Sequence, residues 1–206
     1  MAVTKPHPHP CKDDLAATGA QLVARFCDLN AIDPPSIVRH DSSVWRFDAC
    51  AYYRPTAINI CVPRCAAVGV AGQAWSYPGY VIDRTPYGVM AHELGHHVDV
   101  LFGKVVDRYR SDFGAELRRE TGEAKITNYC PDDGEWFAEI FRLFCTNPDL
   151  LQAIRPRTYG ALFARGLKPV WSDSWRERLA FAPARTIAQC ERRIAEIARA
   201  SDRKEG

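Results

Sequence analysis

The run His92-Glu93-Leu94-Gly95-His96 combines two imidazoles and a carboxylate in the order and spacing of a hydrolytic metal site. On a helix, residues four apart return to nearly the same azimuth one turn on. Both rings can then bind a single ion through one nitrogen each. Glu93 follows the first ligand onto the adjacent face, where its carboxylate can take a proton from an activated water without binding the metal. Two imidazoles alone do not make a catalytic centre, which needs three protein ligands and one open position. His97 lies about 100° further round the helix and cannot join the same coordination sphere. No histidine follows it in the chain. The third ligand is therefore a carboxylate or a cysteine.

Glu135 and Glu139 are the natural place to look. They stand at i and i+4 in Glu135-Trp136-Phe137-Ala138-Glu139-Ile140-Phe141-Arg142-Leu143-Phe144, an otherwise apolar stretch. Burying two carboxylates there is costly unless something compensates. Metal ligation by one, and a hydrogen bond from a ligand imidazole to the other, satisfies both. The alternative is a solvent-facing stripe shared with Arg142. Asp99, three residues after His96, can either orient a ligand ring or cap a neighbouring segment. Gly95, lacking a side chain, either lets another element approach this helix or is simply a tolerated helix glycine.

The elements that must hold these residues are legible in outline. Asp13 or Asp14 caps a first helix running to about Asn30, with Leu15, Leu22, Val23, Phe26 and Leu29 as its apolar stripe. Short β-like segments follow at Ser36 to Arg39, Val44 to Tyr53 and Ala57 to Val62, with a further short strand at Tyr80 to Ile82. Pro63 ends the third segment or marks it as an edge strand, which by fold-level analogy would pair an extended peptide through its backbone. Thr85-Pro86 is a strong helix start, with Thr as N-cap and Pro at the first position. The helix carries the whole His-Glu run, turns Met90, Leu94, Val98 and Leu101 inward, and ends near Gly103. Further helices are expected at Asp107 to Glu120 and Glu135 to Cys145, with boundaries at Asn147-Pro148, Arg155-Pro156 and Ala182-Pro183. The last of these opens a helix to about Ala200. A few strands followed by helices argues an α+β domain with a small sheet.

Composition narrows the class. The 206 residues suffice for one domain over 13–206, behind a disordered Pro/His leader at 1–12. Lys plus Arg (27) nearly balance Asp plus Glu (25), so no nucleic-acid partner is implied. The first ten residues lack the apolar core of a signal peptide, and no apolar run reaches membrane-spanning length. The expectation is a cytoplasmic monomer, or one exported by a route that uses no such signal. Eight cysteines are scattered without a Cys-x-x-Cys pair. Most read as small buried hydrophobes. Cys50, Cys61 and Cys65 form a minor candidate for a structural zinc site that lacks a clear fourth ligand.

His92-Glu93-Leu94-Gly95-His96-His97-Val98-Asp99, followed by Asn128-Tyr129 and Glu135-Trp136-Phe137-Ala138-Glu139-Ile140-Phe141-Arg142-Leu143, resembles the gluzincin metallopeptidases. It is most similar to catalytic domains of the anthrax lethal factor type, over residues 85 to 145. The resemblance implies a zincin-like fold with one catalytic Zn2+ on His92, His96 and Glu135. It also implies that Glu139 supports the site from outside the coordination sphere and that Tyr129 stabilises the oxyanion. The activity it implies is hydrolysis of a peptide or protein substrate, with Glu93 as general base. The competing expectation is a zinc-stabilised, peptidase-like binding or scaffold protein without turnover. A hydrolase acting on a non-peptide amide, or on one dedicated protein partner, is a further possibility.

Overall fold

A computed structural model describes residues 11–67, 82–107 and 110–170, together with Arg192. The leader at 1–10, most of the strand expected at Tyr80 to Ile82 and, Arg192 apart, the helix expected from Pro183 to Ala200 lie outside the described residues.

The first helix, α1 (Lys12–Leu29), starts one residue before the expected domain boundary. Its N-cap is Cys11, not Asp13 or Asp14. Cys11 Sγ accepts from the Asp14 amide while the Asp14 carboxylate accepts from the Cys11 amide, a reciprocal box that satisfies two of the orphan donors at the helix end. Leu15, Leu22, Val23 and Phe26 are buried as their spacing requires, whereas Leu29 is exposed.

Three short strands form the main sheet: β1 (Ser36–Arg39), β2 (Ala51–Arg54) and β3 (Ala57–Ile60). Their order is β1-β3-β2, with β1 parallel and β2 antiparallel to β3. The expected strand over Val44 to Tyr53 thus shrinks to its last residues. The expected edge strand at Ala57 to Val62 occupies the centre, and among the described residues the edges are β1 and β2. Ile58 and Ile60 are fully buried, as a central strand demands, and Val62–Arg64 closes it with one 3-10 turn carrying Pro63.

The next helix, α2 (Pro86–Phe102), has the expected ends. Thr85 Oγ1 accepts from the Gly88 amide, Pro86 takes the first position and Gly103 caps the far end. Met90, Leu94 and Val98 enter the core, but Leu101 is half exposed because it falls in the last turn. A two-stranded hairpin, β4 (Val105–Asp107) with β5 (Arg110–Ser111), stands where the sequence pattern pointed to the start of a helix. That helix, α3 (Phe113–Thr121), begins only after it and ends at Gly122, whose φ of 65° is the left-handed conformation that favours glycine. Then come α4 (Asp133–Thr146), α5 (Pro148–Ile154) and α6 (Pro156–Ala164), the last two each opening with proline at the first helical position. The architecture is α+β with a small mixed sheet.

The core lies where α2 crosses α4 and α1. Gly95 sits at the first crossing: a Cβ there would stand 2.8 Å from the Ala138 Cα and 3.1 Å from the Phe141 Cβ. Its missing side chain lets α4 approach the metal-motif helix, the first of the two expectations for it. No helix among the described residues is long and apolar enough to cross a membrane.

Candidate metal centre

The helix α2 contributes His92 and His96 from one face, and α4 brings Glu135 across to them. One ligand atom from each of these three residues lies within 4.8 Å of the other two. The Glu135 carboxylate approaches His92 Nε2 at 2.9 Å and His96 Nε2 at 3.5 Å through the same oxygen. Glu135 reaches this position from the first turn of α4, where the N-cap Asp132 accepts from the Glu135 amide at 3.0 Å. Capping thus fixes the start of α4, and with it the height at which the carboxylate meets the two rings.

Behind the rings stands Glu139, the carboxylate to which the resemblance gave a supporting place. Its Oε1 accepts from His92 Nδ1 at 2.7 Å, which leaves Nε2 facing Glu135. Arg142 donates to both Glu139 oxygens, from Nε at 3.3 Å and from Nη2 at 3.0 Å. The stripe of Glu135, Glu139 and Arg142 is therefore not solvent-facing; Arg142 is fully buried. Burial alone would raise the Glu139 pKa, but the Arg142 charge and the bond from His92 overcome it and hold it down at about 2. Burial opposes charge on His92 as well, yet the bonds and charges of Glu135 and Glu139 lift its pKa well above the ordinary histidine value. The set of two imidazole nitrogens and one carboxylate oxygen, with an outer carboxylate on one ring, fits a small divalent metal ion.

Glu93 is buried on the adjacent face and opens on the same cleft. Burial raises its pKa, opposed by the charges of His92 and His96 and by a hydrogen bond from the Tyr53 backbone. Tyr129 stands at the cleft mouth, 42% exposed, with its ring centroid 6.0 Å from that of His92. Burial, followed by the charge of Glu135, pushes its phenol up to about 12, so it keeps its proton at neutral pH.

Of the two roles open to Asp99, the geometry selects capping. Its Oδ1 accepts from the Gly114 amide at 2.7 Å, and its Oδ2 accepts from the Ser111 amide at 3.3 Å, which ties α2 to the start of α3. No hydrogen bond joins it to the His96 ring, although it lines the cleft. His97, excluded from the metal on angular grounds, is a brace. Nε2 donates to the Asp33 carbonyl at 2.9 Å, so Nδ1 accepts from the Tyr53 hydroxyl at 3.1 Å. Burial lowers its pKa, in keeping with a neutral ring.

The cleft encloses about 870 Å³. One wall is the segment Asp48 to Tyr53, ending in β2; the floor is α2, and Tyr129, Asp132 and Glu135 form the opposite side. Two buried charges here escaped the sequence reading. Arg142 had a signal, three residues from Glu139 within an apolar run. Asp83 is buried just before the α2 N-cap and accepts from the Thr85 amide at 2.9 Å. It occupies the space that glycine leaves at position 88, where a Cβ would fall 2.2 Å from its carboxyl carbon. Burial raises its pKa to about 7, against the pull of Arg142.

Cys50, Cys61 and Cys65 are buried free thiols, and the three-ligand group found among the described residues is the histidine and glutamate one alone. The minor zinc site considered for them is not formed. Compared with protein-family models, with curated proteins and with solved structures, the chain gives no match.

Proposed function

We propose that the protein is a zinc-dependent metallopeptidase of the gluzincin kind, with a zincin-like fold. The observation that carries this reading is the convergence of His92, His96 and Glu135 on the floor of a cleft that also holds a buried, non-ligating carboxylate, Glu93. The donor set of two imidazoles and one carboxylate suits zinc. Zinc bound there supplies Lewis acidity, polarising a carbonyl and bringing the pKa of water towards neutrality.

The chain's own residues divide the remaining work. Glu93 accepts a proton on its carboxylate from the water that attacks the scissile carbonyl, and then delivers it to the leaving amine. Its raised pKa suits a group that must hold that proton between the two steps. Tyr129 donates its phenolic hydrogen to the carbonyl oxygen as negative charge builds there. Glu139 holds the proton of His92 on Nδ1, so that Nε2 remains the ligating nitrogen.

The substrate backbone is bound by β2, not by the strand first expected. The Cys61 amide donates to the Cys50 carbonyl, so Cys50 faces β3. Antiparallel alternation then turns the backbone groups of Ala51 and Tyr53 away from β3, beside the cleft; the Tyr53 amide is taken by Glu93, which leaves the Ala51 amide and the Ala51 and Tyr53 carbonyls for a peptide. An extended peptide added to this edge would bring a scissile bond over α2. A pure binding protein would have no use for Glu93, whose burial costs free energy.

The deciding experiment compares wild type with Glu93→Gln on a peptide library read by mass spectrometry, with zinc measured in both. We expect one zinc per chain in each protein and a loss of hydrolysis of about 10²–10⁴-fold in the variant. Wild-type protein that binds no zinc, or a variant that cleaves as fast as wild type, would overturn the proposal.

A further inference from the structure

We propose that Arg142 is a positioning residue of the metal centre, acting through Glu139 to fix which nitrogen of His92 faces the ion and in what orientation. The inference rests on the metal-site reading above. It adds a residue that touches neither metal nor substrate.

Three observations support it. First, the guanidinium is fully buried, so its contacts are made without competition from water. Second, it grips Glu139 with a two-pronged fork: Nε to Oε1 at 3.3 Å and Nη2 to Oε2 at 3.0 Å. A planar fork fixes the plane of a carboxylate, which a point-charge ammonium cannot do. Third, the oxygen held by Nε is the one that accepts from His92 Nδ1 at 2.7 Å. Rotation of the Glu139 carboxylate would break that bond and free the imidazole to turn or to change tautomer.

The surroundings explain why the charge is tolerated. Arg142 and Glu139 lie three residues apart on α4, so one helix face carries both members of the pair. The Asp83 carboxylate, held at the start of α2, also acts on the guanidinium. Among the described residues His96 has no such hydrogen-bonded carboxylate behind it, since Asp99 bonds Ser111 and Gly114 instead. Of the two ligand imidazoles, His92 is the one with a charged, two-residue support.

The test is zinc affinity, measured by competition with a chromogenic chelator on the full chain, for wild type, Arg142→Lys, Glu139→Gln and the double variant. Lysine keeps the charge and loses the fork. We expect Arg142→Lys to bind zinc about tenfold more weakly while the metal-free protein melts within a few degrees of wild type. We also expect the same change to cost no more than about twofold in the Glu139→Gln background, because the effect passes through Glu139. Affinity within twofold of wild type in folded Arg142→Lys, or full additivity in the double variant, would overturn the inference. Should Arg142→Lys fail to fold, Glu139→Gln/Arg142→Gln decides. Binding equal to Glu139→Gln alone supports the inference, and a further tenfold loss or unfolding overturns it. Wild-type protein without zinc affinity would instead overturn the metal-site reading, so the two failures are distinguishable.

Discussion

The His92–His96–Glu135 centre and the Cys50–Cys61–Cys65 corner both begin as groups of metal-capable side chains at suggestive spacing, but only one of them converges. In the first, α2 and α4 meet closely enough for three ligand atoms to lie within 4.8 Å. Glu139 stands behind one ring at hydrogen-bond distance. In the second, the thiols are drawn into backbone contacts: Cys65 Sγ reaches the Cys61 carbonyl at 3.7 Å and Cys50 Sγ the Arg84 carbonyl at 3.9 Å. Ligand type and spacing thus set the possibility, while convergence and a supporting outer contact decide the outcome.

The sharpest way to break this contrast is metal content. His96→Ala should reduce bound zinc from the proposed one per chain to none detectable, because only two ligands remain. Cys61→Ala should leave it at one. Elemental analysis of purified, dialysed protein reads both, and zinc lost from the cysteine variant would show that the corner had been misjudged.

The next effect concerns Asp83, whose carboxylate is buried beside the centre with a pKa raised to about 7. The folded state therefore binds its proton more tightly than the unfolded chain, where the value is near 3.8. Stability contributed by this proton is present below pH about 4 and is lost as pH rises through about 7. Replacement by asparagine should remove that trend. The stability difference between wild type and Asp83→Asn, from urea unfolding of the metal-free protein, should move against wild type by up to about 4 kcal/mol across this window. A difference that stays constant with pH would mean that Asp83 keeps its charge throughout.

How much of this was readable beforehand depended on whether the determining contact was local. Thr85-Pro86 and Gly103 bounded α2 because caps act within one turn. The Glu135/Glu139 pairing was visible because i,i+4 spacing fixes a shared face. Sheet order was not: β3 lies between β1 and β2 through pairings that no local pattern reveals. The β4–β5 hairpin was missed because Asp107 to Glu120 is rich in charged residues that suit a helix surface equally well. The burial of Arg142 and Asp83 was hidden for a related reason. A charged residue reads as exposed until its partners arrive from elsewhere in the fold.

Gly95 tests whether close helix approach is what separates the two regions. Gly95→Ala would place a methyl group 2.8 Å from the Ala138 Cα, and backbone cannot move aside as a flexible side chain can. We expect a loss of about 1–3 kcal/mol in unfolding free energy from overpacking. Zinc should also bind more weakly, because α4 carries Glu135. Gly160, beside which a Cβ meets nothing within 4 Å, is the control: alanine there should be neutral or slightly stabilising.

The smallest effect falls in the cysteine corner and concerns reactivity, not metal. Cys50 and Cys65 share a thiol hydrogen bond that lowers the pKa of Cys50 and, followed by burial, raises that of Cys65. Cys50 is buried but lines the cleft, so a small reagent would meet it from the side on which substrate would enter. Cys65→Ala removes a thiol whose hydrogen can turn from the Cys61 carbonyl to steady the Cys50 thiolate, and the Cys50 pKa should rise. Because the thiolate is the nucleophile, alkylation of Cys50 by iodoacetamide near pH 8 should slow by about threefold or more, as followed by peptide mass mapping. Zinc content should stay at one per chain. Faster alkylation would mean that Cys65 acts on Cys50 mainly as a steric shield, so that the corner is held by packing and its hydrogen bond counts for little.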